Sequence, residues 1–191
     1  MKKLFASFAL AAVVATPATQ AVAADTYAID AFHTFPSFEV NHLGFSTQRG
    51  RFDKTSGTVV IDAAAKKGSI DLTIEVASLN MGFAVWNEHM AAEGFFNTAK
   101  YPTITFKSSK LVFDGDKLVG AEGDFTLLGV TKPVKLAISN FKCGENPFNK
   151  KAMCGADIST TIKRSEFGMT KGLPAIGDEI RIMSAVEAFK Q

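Results

Sequence analysis

Ser69-Ile70-Asp71-Leu72-Thr73-Ile74-Glu75-Val76 is the stretch whose reading decides the fold. Apolar side chains at 70, 72, 74 and 76 alternate with polar ones at 69, 71, 73 and 75. Side chains along a strand point to opposite faces in turn, so this octet makes a strand with one dry face and one wet face, as in an antiparallel sheet. Wound as a helix, the same residues would scatter their apolar groups around the whole circumference.

The period of two continues outward in both directions. Upstream, Phe38, Val40 and His42 alternate with Ser37, Glu39 and Asn41. Downstream, Ile104 and Phe106, then Leu111 and Phe113, lead to Asp114-Gly115-Asp116, which predicts a hairpin turn. Phe125 and Leu127 follow, then Val134, Leu136 and Ile138, then Ile158, Thr160 and Ile162, and last Ile180, Ile182, Ser184 and Val186. This pattern predicts about eight strands. One segment breaks it: Ala84 to Ala92 lacks Gly and Pro and sets Val85, Trp86, His89 and Met90 at helical spacing, which predicts one short helix inserted mid-chain. Eight antiparallel strands favour a closed up-and-down barrel, because closure removes the unpaired edges of an open sheet. The interior of such a barrel is just wide enough for side chains or one ligand.

The first 23 residues stand apart from this pattern. Met1-Lys2-Lys3 is a positive start, Leu4 to Ala15 is apolar or small throughout, and Ala21-Val22-Ala23 offers small residues for cleavage, which together read as a secretory signal peptide. Its apolar run is too short to span a bilayer, and no later run reaches the ~18 apolar residues of a transmembrane helix, so a soluble mature protein is expected. Cleavage after Ala23 would leave 24–191 as a single domain. Of the 21 Lys and Arg, two leave with the signal, so the remainder balances the 19 Asp and Glu. That balance gives no basic footprint for nucleic acid and no polybasic patch for anionic lipid.

Cys143 and Cys154 flank a polar decapeptide between two strand-like runs. Export to an oxidising compartment favours a disulfide across the base of that hairpin. The alternative, a redox-active pair, lacks C-x-x-C spacing and a thioredoxin-like surround.

A search for catalytic chemistry returns little. His33, His42 and His89 have no metal-ligand spacing, Ser46 lacks the second glycine of a nucleophile elbow, and no phosphate-binding glycine motif occurs. No catalytic residue, metal or cofactor is therefore expected. The rival reading is an enzyme acting on a bound lipid or quinone, with His42, His89 and Glu166 carrying protons. A second rival is a solid-core module that binds a partner protein. The stronger signal is aromatic and apolar excess. Phe supplies 17 residues while Trp and Tyr together supply three, so the interior has few polar handles to satisfy. Trp86, Met90, Phe95 and Phe96 surround the helix, and Phe38, Phe45, Phe52, Phe106 and Phe125 lie on strands. Each alone is core filling, but as a set they suit an apolar pocket at a barrel mouth.

Several short motifs then converge. Tyr27 to His33, Asn41-His42-Leu43-Gly44-Phe45-Ser46, Gly50-Arg51-Phe52, His89-Met90 and Phe95-Phe96-Asn97 occur in order. They are followed by Lys100 to Phe106, Gly129-Val130-Thr131-Lys132-Pro133-Val134, Arg164-Ser165-Glu166-Phe167-Gly168-Met169 and Gly177-Asp178-Glu179-Ile180. Over nearly all of 24–191 the chain resembles the YceI-like family of lipocalin-like periplasmic proteins. The resemblance implies an eight-stranded lipocalin-like barrel that holds a polyisoprenoid-like lipid, a quinone or another long-chain amphiphile for transport or storage. It also implies a periplasmic location, no cofactor, and a membrane-protein donor or acceptor. The motifs carry over His42, Phe45, His89, Phe95, Phe106 and Phe167 to the tail path. Together with the apolar set, the expected ligand-binding residues are Phe38, Val40, His42, Phe45, Phe52, Trp86, His89, Met90, Phe95, Phe96, Phe106, Phe125, Ile162 and Phe167. Trp86-Asn87 and Leu128 stand where family members often carry charged or polar groups, so a neutral head group is expected in place of a pyrophosphate.

Overall fold

The octet Ser69–Val76 runs through strand β5 (Lys67–Glu75) and into a 3-10 turn at Val76–Ser78, with Leu72 and Ile74 buried on one face and Asp71 and Glu75 exposed on the other. A computed structural model describes residues 24–191, so the expected export signal lies outside the described residues. The remaining strands are β1 (Asp25–Ile29), β2 (Ser37–His42), β3 (Ser46–Phe52), β4 (Thr55–Asp62) and β6 (Leu79–Asn80). After the helix α1 (Ala84–Ala91) come β7 (Thr103–Asp114), β8 (Lys117–Leu127), β9 (Val130–Glu145), β10 (Ala152–Lys163) and β11 (Ile176–Lys190).

Eight of these strands close a ring in the order β1-β4-β5-β7-β8-β9-β10-β11, with β1 pairing back onto β11 and every pairing antiparallel. The expected eight-stranded barrel is therefore present, with a different strand census. The two runs at Ile104–Phe106 and Leu111–Phe113 form one strand, β7, whose register against β8 shifts between Lys107 and Lys110. At that shift the buried Ser108 hydroxyl donates to the Glu122 carbonyl at 2.6 Å and accepts from the Lys110 amide at 3.0 Å, so the extra residue leaves no unpaired group there. Strand β4 escapes a period-two reading because Gly57 and the adjacent pair Val59-Val60 interrupt the alternation. A Cβ at Gly57 would overlap the Asp71 carbonyl of β5, so the pairing requires glycine.

β11 serves both closures of the barrel. Its last residues pair with β1 (Ile29↔Ala188), and its first half pairs with β2 (Ile182↔Phe38). The chain crosses between these two levels through Asp30–Pro36, which is tied to β11 at Glu187. The Asp30 amide donates to the Glu187 carbonyl at 2.8 Å, and the fully buried Thr34 hydroxyl accepts from the Glu187 amide at 3.1 Å. β2, β3 and β6 thus extend the wall above the ring, where α1 lies.

The interior divides into two levels. The lower cluster, Tyr27, Ile61, Phe106, Leu111, Leu118, Ala121, Ile138, Cys154 and Ala188, is tightly buried. The upper cluster gathers Phe38, Phe52, Leu72, Ile74, Phe96, Ile104, Leu127, Ile162, Phe167 and Met169. Ile70, Phe125 and Val134 touch both clusters and join the two levels.

Cys143 and Cys154 face each other across β9 and β10 and form the expected disulfide. Constraining a loop of that length in the unfolded chain is worth about 3 kcal/mol in the loop-entropy account. Replacing both cysteines with alanine should lower the melting temperature by roughly 6–12 °C, read by calorimetry under identical buffer.

Candidate functional site

A cavity of about 160 Å³ opens within the upper level. Its wall is built by inward positions of successive strands: Phe38, Val40 and His42 from β2, Gln48 and Phe52 from β3, Ile74 from β5, Ile104 from β7, and Phe125 and Leu127 from β8. β10 gives Ile162, and β11 gives Ile176, Ile180 and Ile182. Trp86, His89 and Met90 of α1 cover it with Met81, Phe95, Phe96 and Met169.

The strand register orders these residues along the barrel. His42 pairs with Ile176, Val40 with Ile180 and Gln48, and Phe38 with Ile182. His42, Gln48 and the exposed His89 are partly open to solvent, so the mouth lies between the β2–β3 hairpin and α1. Away from the mouth, Ile74, Ile104 and Leu127 belong to the upper cluster, and Phe125 packs against both clusters. No buried residue of that lower cluster lines the cavity, so the cavity has a floor.

Three phenylalanines set one side of the chamber. Phe38, Phe52 and Phe96 lie with ring centroids 5.4–6.0 Å apart, the Phe52–Phe96 pair edge to face. Gly50 makes this possible, because a Cβ there would overlap both the Phe38 ring and Met81. Phe125 is held by Phe167, edge to face at 5.6 Å. Across the mouth, His89 rests on Phe95 at 4.8 Å, and the Lys171 ammonium lies 5.0 Å from the same ring.

Eleven of the fourteen residues expected on the tail path line the cavity, and three do not. Phe45 is 91% exposed: the β2–β3 turn passes through Leu43 and Gly44 at positive φ and leaves Phe45 beyond the last paired residues. Phe106 is buried in the lower cluster, opposite Leu72, and belongs to the floor. Phe167 is 1% exposed and stands behind Phe125, supporting the wall without lining it. Of the positions expected to set head-group charge, Trp86 is at the mouth. Asn87 accepts a hydrogen bond from the Met81 amide at 2.7 Å, and Leu128 packs on the upper cluster. Glu166, named with His42 and His89 as a proton carrier, is exposed and does not line the cavity. Asp30, His33 and Glu187 bring one ligand atom each within 4.8 Å of one another, but they sit at the β1–β2 crossover, away from the cavity.

Arg164 lines the cavity and was not singled out from the sequence. Its signal was present, since Ile158, Thr160, Ile162 and Arg164 continue one period-two face. The residue is 3% exposed. Its Nε donates to the Gly177 carbonyl at 2.8 Å, Nη1 to those of Met169 and Lys171 at 3.0 and 2.9 Å, and Nη2 to that of Ile176 at 3.0 Å. Burial pushes its pKa down from the ordinary arginine value, and the Asp178 charge pushes it back up. The Ser165 amide and hydroxyl both donate to the Asp178 carboxylate, at 2.8 and 2.7 Å, and hold its pKa below the usual carboxylate range.

Comparison with known proteins places this architecture. A family model described as "YceI-like domain" matches residues 27–188. The chain belongs to the YceI-like family. Protein YceI of Escherichia coli O157:H7 is 36% identical to it over 196 residues, covering all of both chains. The crystal structure of Burkholderia cenocepacia BcnA superposes with a TM-score of 0.71 at 26% identity, over 83% of this chain and 98% of that one. A Saccharophagus degradans structure described as a polyisoprenoid binding domain superposes with a TM-score of 0.64 over 86% of this chain and 98% of its own. At 20% identity that last likeness concerns the fold alone.

The Asp178 arrangement has a pH signature. Its lowered pKa stabilises the fold at pH values above the unfolded carboxyl's, near 4, and that contribution fades as pH falls through the folded-state value. Asp178→Asn should therefore cost stability at pH 7, and the gap from the unsubstituted protein should narrow below about pH 4 in urea titrations.

Proposed function

We propose that this YceI-like protein is a periplasmic lipid-binding protein that holds the apolar tail of an isoprenoid-like amphiphile in the upper half of its barrel. One observation carries the reading: a cavity walled mostly by aliphatic, aromatic and methionine side chains, with His42, Gln48 and His89 at its mouth. Ligand sites have that composition, whereas a solid-core partner module has no use for a chamber. Periplasmic placement is supported by the signal-like first 23 residues and the disulfide. Among the described residues no helix is long and apolar enough to cross a membrane.

The chamber's size shapes the mode of binding. About 160 Å³ is close to an apolar cavity that takes one benzene ring and below the ~300 Å³ at which sites for larger ligands begin. A longer tail enters by displacing the cover. Met81, Met90 and Met169 are unbranched and repack readily, and α1 contributes no buried side chain and no side-chain cap. An element with so little burial opens at low cost.

Native mass spectrometry of protein purified from the periplasm without detergent should show a mass beginning near residue 24 together with a bound lipid. An empty protein that also refuses added isoprenoids removes the reading. Val40→Trp, which fills the cavity near the mouth, should reduce lipid retention at least tenfold while the barrel melts cooperatively. Hydrogen exchange over Ala84–Ala91 should be fast in the empty protein and slow on lipid addition.

A further inference from the structure

Arg164 has five N–H donors, and among the described residues four are accepted by backbone carbonyls. The fifth, on Nη2, belongs to a residue that is 3% exposed and lines the cavity. A buried donor without an acceptor costs free energy, and a charged one costs more. The other polar side chains of the wall do not share its position. Ser37 is engaged with the Met183 carbonyl at 3.0 Å and Gln48 with the Ser46 hydroxyl at 2.9 Å, while His42 and His89 stand at the open mouth. Arg164 lies at the mouth end of the cavity, bonded to the carbonyl of Ile176, the residue that pairs with His42.

We propose that the free N–H of Arg164 reads the head of the bound lipid, and that the head presents a neutral carbonyl oxygen there. This rests on the lipid-binding reading above and names what lies at the polar end of the tail. Charge and donor count select the neutral group. Arg164 is already balanced by four carbonyl dipoles and by Asp178 nearby. One leftover donor suits one carbonyl oxygen; a diphosphate brought to the same depth would leave most of its anionic oxygens desolvated and unpaired. A methyl ketone, a quinone ring or an ester all offer the required oxygen.

The test uses the whole protein and three probes with one farnesyl tail, ending as a methyl ketone, a plain hydrocarbon or a diphosphate. In the unsubstituted protein, infrared spectroscopy should show the ketone carbonyl band moved to lower frequency than in alkane solvent. Arg164→Lys keeps the charge and removes the fork, so it should abolish that shift. It should also reduce the ketone-over-hydrocarbon affinity ratio about tenfold, as expected for a hydrogen bond to a charged group. If Arg164→Lys does not fold, the carbonyl band and the probe ranking in the unsubstituted protein decide alone. An unshifted band, a ratio unchanged by Arg164→Lys, or tighter retention of the diphosphate than of the ketone overturns the assignment while tail binding stands. Failure of all three probes to bind overturns instead the lipid-binding reading beneath it.

Discussion

Closing eight strands into a ring fixes the width of the interior, and every inward side chain has to be accommodated within it. The lower level meets that constraint with large groups: Tyr27, Phe106, Leu111, Leu118 and Ile138 fill the bore, and the disulfide partner Cys154 and small Ala121 and Ala188 take the remaining space. The upper level meets it incompletely. There β2, β3 and β6 carry the wall above the ring, and its phenylalanines lean on one another across Gly50, leaving a chamber between them. The floor of the site is thus the ceiling of an ordinary core, and Ile70, Phe125 and Val134 pass packing from one level to the other.

The polar end of the chamber is organised around Arg164. Its four carbonyl acceptors span Met169 to Gly177, the segment entering β11, and the Leu43 amide donates to the Ala175 carbonyl of the same segment at 3.0 Å. One buried cation therefore sets the backbone that the β2–β3 hairpin docks on, and that hairpin forms one side of the mouth. Removing a buried, multiply bonded charge leaves acceptors unsatisfied, so the proposed recognition at this residue would be coupled to the backbone it holds. Ser165 and Asp178 lock the 3-10 turn Arg164–Phe167 that carries it.

How much of this was legible depended on whether one face of a segment was buried uniformly. The octet Ser69–Val76 and the run Ile180–Val186 alternate cleanly because each has one wet face, so strand identity follows from period, and the closed barrel from the strand count and the cost of open edges. β4 was obscured by Gly57, whose reason is an approach of two backbones that no side-chain pattern encodes. Phe45 and Phe106 were misplaced for a related cause. Alternation says which residues face inward but not at which height along the bore, nor which strand end lies beyond the last pair. Arg164 continues an apolar face in plain view, but a lone arginine after apolar alternation has the pattern of a strand end reaching solvent.

The helix shows the same limit from the other side. Helical spacing at Val85, Trp86, His89 and Met90 suggested a single apolar stripe, yet Val85 is exposed while the other three face the cavity. A helix packed into a core would bury its stripe; this one lies over a chamber, and so has less to pack against. In the proposed lipid-binding mode, the tail itself would supply that packing surface. Each methylene withdrawn from water is worth about 0.8 kcal/mol, and a tail reaching Trp86 and Met90 also gives α1 an apolar surface to rest on. The ordering cost of a flexible tail opposes this, so length beyond the chamber gains little unless the cover moves and closes again over it. In the proposed mode, tail length would be set jointly by the floor at Phe106 and by how far the methionines of the cover can yield.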